Sequence, residues 1–394
     1  MKTSIIGRAD KKHHSSDCAT VNGIRSLSHH AFIGGPRKMV CLLAALTHML
    51  MFASIGEANS GLPAVDAGLS VYYVANNSTD DLLMTSVNSS GNWTADTHVG
   101  GHSSVTTPAI LLDGQTYIVY VGNDGQNELK IASSIDGINW GPSYVIPGAK
   151  SKFAPAMGIF TTPTDIIGQL SVAYVADDGT NDLYVVTTNN GATSVASALT
   201  WNTPVKIEGQ RSRTAPAMAS FLDQDDDNIL VIAYVADNAS NDLLITTSND
   251  GIHWTASTQV KGPQDETPQQ SPLAPALVYF NVCCSSYNVG QSALLLAYVA
   301  NNGSNDLLVT ISTDALNWTQ SSPVQGQQSS VSPALMWLIW EGRTTAVAMA
   351  YVATNGSNDL LVTTSSDGIH WSGSSNVGTQ TSKIAPALGP SEVQ

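Results

Sequence analysis

The sequence is short of charge, of cysteine and of any helical period, and each shortage removes a class of function. Only 12% of its 394 residues are charged, against 42% hydrophobic. Such a chain can bury a large core and suits a turn-rich, secreted β protein. Residues 59–394 hold 9 Lys and Arg against 28 Asp and Glu, a net of −19. That surface repels phosphate backbones and anionic lipid, so no nucleic-acid partner is expected. Of the four cysteines, Cys18 and Cys41 lie near the N-terminus, while Cys283 and Cys284 are adjacent. Neighbouring thiols cannot staple distant strands, and their spacing fits no zinc site. The cluster Asp223, Asp225, Asp226 and Asp227 lacks EF-hand spacing and reads as a solvated loop. No metal and no cofactor is therefore expected. Nor is there a Gly-x-Ser-x-Gly elbow, a phosphate loop or a His-Glu-x-x-His helix.

What is present begins with a leader. Residues 1–38 are polar and basic and end in Arg37-Lys38; Val40 to Ile55 is then an unbroken apolar run of 16 residues, followed by Gly56-Glu57-Ala58. This basic, apolar, small-x-small order is signal-peptide anatomy and predicts export with cleavage after Ala58, leaving residues 1–58 as leader. An uncleaved anchor is the alternative, and the run is short for a spanning helix. After cleavage no membrane contact is expected.

The rest is a repeat. The stretch Ser292 to Trp318 reads as an apolar strand ending in Tyr-Val-Ala, an Asn-Gly-Ser turn, a strand opening on Asp-Leu-Leu, and a tight turn leading to Trp. The pattern recurs six times. Its tyrosines are Tyr73, Tyr120, Tyr174, Tyr234, Tyr298 and Tyr351, at spacings of 47, 54, 60, 64 and 53 residues. An acid opens the next strand at Asp81, Glu128, Asp182, Asp242, Asp306 and Asp359. The tryptophans are Trp93, Trp140, Trp201, Trp254, Trp318 and Trp371, expected as core. Each copy ends in Pro-Ala (Pro108, Pro155, Pro216, Pro275, Pro333, Pro386), with a serine four residues earlier at Ser104, Ser151, Ser212, Ser271, Ser329 and Ser382. Four strands per copy, a after Pro-Ala, b through Tyr, c from the acid and d after Trp, are a propeller blade. The expected fold is all-β, a six-bladed propeller over residues 62–390 built from four-stranded antiparallel blades, presumed monomeric. An extra Pro63-Ala64 leaves open whether Leu62 to Val65 or Ala385 to Leu388 completes the closing blade, and leaves seven blades as the alternative.

Four of the c to d turns share Ser-x-Asp-Gly/Ala-x-x-Trp, at Ser134 to Trp140, Ser248 to Trp254, Ser312 to Trp318 and Ser365 to Trp371. A short polar side chain satisfies the turn amides, Gly takes positive φ, and Trp covers the sheet. These turns resemble the Asp-boxes, or bacterial neuraminidase repeats, of the sialidase-like propeller superfamily, over residues 62–390. The box is one residue shorter between Asp and Trp than that family's pattern, and the turns Ser86 to Trp93 and Asn189 to Trp201 have lost the Asp. The resemblance implies structural boxes on the face away from any active site, with His253 and His370 as turn residues. It also implies what a sialidase would need: three converging arginines for a carboxylate, a Tyr-Glu nucleophile pair and an Asp acid. After the leader only Arg211, Arg213 and Arg343 remain, two of them in one loop.

The expected reading is therefore a non-catalytic, lectin-like propeller binding an extracellular glycan or glycoprotein; a sialidase or other glycoside hydrolase and a protein-interaction scaffold are the alternatives. The candidate binding face joins the b to c and d to a loops. It carries Asn76, Asn123, Asp177, Asp237 and Asn301, with Ser151, Lys152, Ser212, Arg213, Ser382 and Lys383 beside them. Amides, carboxylates and hydroxyls repeated around a ring can bind sugar hydroxyls several times over. The same residues also serve as turn closers.

Overall fold

The computed structural model describes residues 68–390, apart from 163–164, 192–194, 223–227, 266, 283–290 and 341–343. The expected leader, Pro63-Ala64, the Asp223 cluster, Cys283-Cys284 and Arg343 lie outside the described residues.

Strand-forming sequence does the rest. The b strands, such as Leu69–Val74 (LSVYYV) and Thr116–Val121 (TYIVYV), are buried along their whole length. Their β-branched and aromatic content fits a sheet covered on both faces. The c strands alternate instead, as in Asp306–Ser312, where only every second residue is fully buried at the start. Six separate four-stranded antiparallel sheets result, each in the order a-b-c-d. They are the blades of a six-bladed propeller. Blade 1 is completed by the chain's last described strand, Ala387–Pro390, which pairs with Leu69–Val74 in the register Val71↔Leu388 and Tyr72↔Ala387. The second of the two expected closures is the one used.

Inside a blade, strands c and d slip past one another. In blade 1 Asp81 faces Ser103 but Leu83 faces His98, and the extra d residues bulge. The same slip occurs in blades 2, 3, 5 and 6. A glycine at positive φ sits in each of these bulges, at Gly100, Gly148, Gly209, Gly326 and Gly378, a conformation that costs other residues strain. Each d strand still delivers one aliphatic side chain to the core, at Val99, Ile146, Ile207, Val260, Val324 and Val377, all at most 1% exposed.

The core is not central. It is divided into six clusters, and each cluster is a seam between neighbouring blades. At the seam of blades 1 and 2, for example, Tyr72, Leu82 and Val99 meet Ile118, Tyr120 and Ala132. The tryptophan of each blade packs onto the seam it shares with the blade before it. Trp140 meets Tyr72 edge to face with ring centroids 6.1 Å apart. Only Trp318 is fully buried, at 3% exposed; the other five are half-buried against their seams. The tryptophans, expected as core, all pack on core seams, Trp318 inside one and the other five at the edges.

Candidate functional site

The b to c and d to a loops meet on one face, as the repeat predicts, and the hydrogen bonds there show what each side chain does. In every blade the residue just before strand c lies in the left-handed region, at Asp80, Asn127, Asn181, Asn241, Asn305 and Asn358, with φ between 50° and 60°. Asn and Asp tolerate this conformation better than other non-glycine residues. Its carbonyl accepts the backbone N–H of the d to a serine at 2.9–3.0 Å, six times over. The serine hydroxyl in turn donates to the carbonyl two residues on, as Ser151 Oγ does to Phe153 at 2.9 Å. Ser151, Ser212 and Ser382 are 0% exposed. As ligand contacts they are therefore corrected: a hydroxyl sealed inside a turn has no surface to offer.

The paired residues of the b to c loops divide their labour. The second of each pair closes its own turn, with Asn77, Asp124, Asp178, Asn238, Asn302 and Asn355 each accepting the N–H two residues on at 2.9–3.1 Å. The first of the pair reaches to the preceding blade. Asn123 Nδ2 donates to Asp80 Oδ2 at 3.2 Å, and Asn127 Nδ2 donates to Asp177 Oδ2 at 2.7 Å. Asn181 Nδ2 donates to Asp237 Oδ2, and Asn241 Nδ2 to Asn301 Oδ1, both at 3.2 Å. Four of the five expected contact residues are thus latched across seams, and the fifth, Asn76, is exposed. The six Asn/Asp residues before strand c were missed in the sequence reading. Their signal was available, as an Asn or Asp immediately before the repeated acid in every copy.

The cations are spent in the same way. Lys152 Nζ lies 2.8 Å from Asp177 Oδ1, and this hydrogen bond, with that of Asn127, holds the Asp177 carboxyl below its ordinary range. Arg213 donates to Asn238 O at 3.2 Å and to the Asn241 side chain. Arg211 and Lys206 close on Asp182 at 2.9 and 2.7 Å. Burial would raise the Asp182 pKa, but these two partners hold it down. Lys383 is exposed. Arg211 and Arg213 stand at the end of one d strand and do not converge with an arginine from another blade among the described residues.

At the opposite end of the blades, the four Ser-x-Asp turns are one motif repeated. The Asp Oδ1 accepts the N–H groups two and three residues on, at 2.8 and 2.7 Å in Asp250, while Oδ2 takes the side chain three residues on. His253 Nδ1 and His370 Nδ1 fill that last role at 2.6 Å, as the Asn139 and Asn317 amides do at 2.6 and 2.7 Å. The histidines are turn residues, as expected. Blade 1 closes a turn one residue longer with Asn88, whose Oδ1 accepts the N–H groups two and four residues on, from Ser90 and Asn92, at 3.0 Å. In blade 3 the turn is lengthened and holds a short 3-10 helix, Ala196–Ala198.

Two clefts open at this end, both on seams. One, of about 330 Å³, lies between blades 2 and 3 and is lined by Gln115, Ser133, Ile135, Asp136, Tyr144 and Val195 among others. The other, of about 250 Å³, lies between blades 5 and 6, under Gly368 and Ile369. Among the described residues, no basic side chain lines either. No group of three or more His, Cys, Asp or Glu side chains could hold a metal among the described residues.

No family model matches the chain, and no curated protein matches it in sequence. Solved structures do match in fold. A variant of Aleuria aurantia lectin in complex with Fucα1-6GlcNAc is similar with a TM-score of 0.55 at 12% identity, covering 80% of this chain and 93% of that one. AofleA from Arthrobotrys oligospora matches with a TM-score of 0.52 at 12% identity over 87% and 96% of the two chains. A lectin from Burkholderia pseudomallei matches with a TM-score of 0.50 at 17% identity over 82% and 89%. At such identities the likeness concerns the fold alone.

Proposed function

We propose that this chain is an exported, non-catalytic, lectin-like propeller that binds neutral glycans at clefts on its blade seams. The observation that carries the reading is the state of its acids. Every described carboxylate whose pKa departs from the ordinary value is shifted down. A glycoside hydrolase needs the opposite, one carboxyl held protonated to donate to the leaving oxygen. In Asp136 the cause is the Asn139 backbone N–H, then the Asn139 side chain and the Ile138 N–H. Such acids are bound into turns and have no proton to give. Recognition of an acidic sugar would call for free, convergent guanidinium groups, and Arg211 and Arg213 are both engaged. The clefts instead offer amides, hydroxyls and apolar side chains, which suit neutral sugars. Two of the structures similar in fold are lectins, one of them with a fucosylated disaccharide bound, and we extend glycan binding to this chain on that ground.

A glycan array probed with the purified protein, beside a fluorogenic sialoside assay, tests the reading. Binding to neutral glycans without turnover is expected. Turnover that disappears in Arg213→Ala or Arg343→Ala would establish a hydrolase, and a blank array at millimolar glycan would leave an interaction scaffold. Export is tested separately: the N-terminal residue of secreted protein should lie near Asn59, and a chain still starting at Met1 would reject the signal peptide.

A further inference from the structure

Six-fold repetition makes the places where it breaks informative. Blades 2, 4, 5 and 6 have the same tight Asp turn between strands c and d, and blade 1 closes a turn one residue longer around Asn88. Such a turn can lie directly on the preceding blade: a Cβ added at Gly251 would stand 3.3 Å from Thr187 of blade 3, and one added at Gly368 would stand 3.2 Å from Ile311 and Phe280 of blade 5. In blade 3 the longer turn instead buries Ala196 and Leu199 in the seam with blade 2, and Ala196 N–H donates to Ser133 Oγ of blade 2 at 3.0 Å. The 330 Å³ cleft lies beside that hydrogen bond. Its size is at the lower end for small-molecule sites.

Its lining is unusual for this surface. Ile135, Val195 and Tyr144 are 71%, 46% and 39% exposed, three of the molecule's few large apolar side chains left in solvent, and all three line this cleft. On the floor is Gln115, only 4% exposed. Its Nε2 donates to Tyr117 Oη at 2.7 Å, while its Oε1 is buried with no partner among the described residues. An amide's O and N are told apart by the partners they meet, and here only one of the two has a partner among the described residues. A buried amide left in this state is costly, and a ligand that pairs with it recovers that cost. Ser133 Oγ accepts from Ala196 and keeps its own hydrogen to donate. Asp136 adds negative charge, but its oxygens are occupied by Ser134, Ile138 and Asn139 at 2.6–3.0 Å.

We infer that the cleft between blades 2 and 3 is a single, non-repeated site for one neutral sugar residue, whose hydroxyls pair with Gln115 and Ser133 while its C–H face lies on Tyr144. The site deepens the glycan-binding reading and rests on it. A hydroxyl can both donate and accept, so it meets either orientation of the amide. An anionic sugar is excluded by Asp136 and by the absence of a cation from the lining.

Saturation-transfer NMR with methyl glycosides of glucose, galactose, mannose and fucose, and with the methyl glycoside of N-acetylneuraminic acid as the anionic probe, tests the site. Transfer from at least one neutral glycoside and none from the acidic one is expected. Tyr144→Ala, at an exposed position that does not threaten folding, should weaken that binding at least about tenfold, the loss that follows from about 1.4 kcal/mol of aromatic contact. Gln115→Met should weaken it as well, while Ile252→Ser, in the exposed turn of blade 4, should not. If neutral glycans bind on the array yet Tyr144→Ala and Gln115→Met bind like the parent protein, this site is wrong and the lectin reading stands. If no neutral glycoside gives transfer and the array is blank, both fall.

Discussion

Single residues here hold turns by saturating them, and this makes two quantities measurable. In Asp250 burial would raise the carboxyl pKa, but hydrogen bonds from the His253 side chain and backbone, then from Ile252 and Ser248, bring it down from 3.8 to about 2. A carboxyl depressed in the folded state contributes stability that is present above its unfolded pKa and lost as pH falls through its folded one. Asp136, Asp314 and Asp367 are shifted the same way. The thermal unfolding midpoint should therefore fall as pH drops from about 4 toward about 2, and an Asp250→Asn/Asp314→Asn variant should start lower near neutral pH and fall less steeply. A midpoint that is flat across that window in the parent protein would contradict the assignment. The left-handed residues give the second quantity. Asn305 is exposed at φ 60°. Asn305→Ala should cost about 1 kcal/mol in urea unfolding, and Asn305→Gly should cost markedly less, because alanine keeps the Cβ strain of the left-handed region without the polar side chain that lets Asn tolerate it, while glycine has no Cβ. Equal losses for the two would point to the side-chain amide and not to backbone strain.

At the scale of elements, the seam is the structural unit, and Trp318 is its clearest representative. It is 3% exposed between blades 4 and 5, packed among Val231, Ala233, Leu294 and Leu296. Trp318→Ala should destabilise the fold by about 3–5 kcal/mol in chemical denaturation, as large aromatic truncations in a core do. A loss under about 1 kcal/mol would mean that the seam tolerates a void. Much of this was legible beforehand. Tyr73 and its five counterparts marked the b strands, the repeated acids marked strand c, and the Ser-x-Asp-Gly turns marked the c to d corners, because each depends on local backbone chemistry that recurs with the repeat. The site was less legible for the opposite reason. Asn123, Asp177, Asp237 and Asn301 look like free polar groups in sequence, yet they are latched to residues about 40 to 60 positions away across a seam. Nothing local tells a latch from a ligand contact. The blade 2 and 3 cleft depends on how a lengthened turn meets its neighbour, and Gln115, in the a to b loop of blade 2, belongs to no repeated class at all.

The whole molecule is a ring fastened by one antiparallel pair, Leu69–Val74 with Ala387–Pro390. Removing residues 387–394 should leave blade 1 with three strands and a bare inner edge, so that the shortened chain loses cooperative unfolding and elutes as aggregate in size exclusion. A monomeric, cooperatively melting product would show that the other five blades hold the ring closed without it. The fastening also has a meaning in time. A ribosome makes the first partner of this pair about 315 residues before the second. Blades 2 to 6 can each assemble as their strands emerge, but blade 1 must wait, holding one edge open until Ala387–Pro390 is made. A polypeptide that stops before that strand carries an unpaired edge by which degradation can single it out.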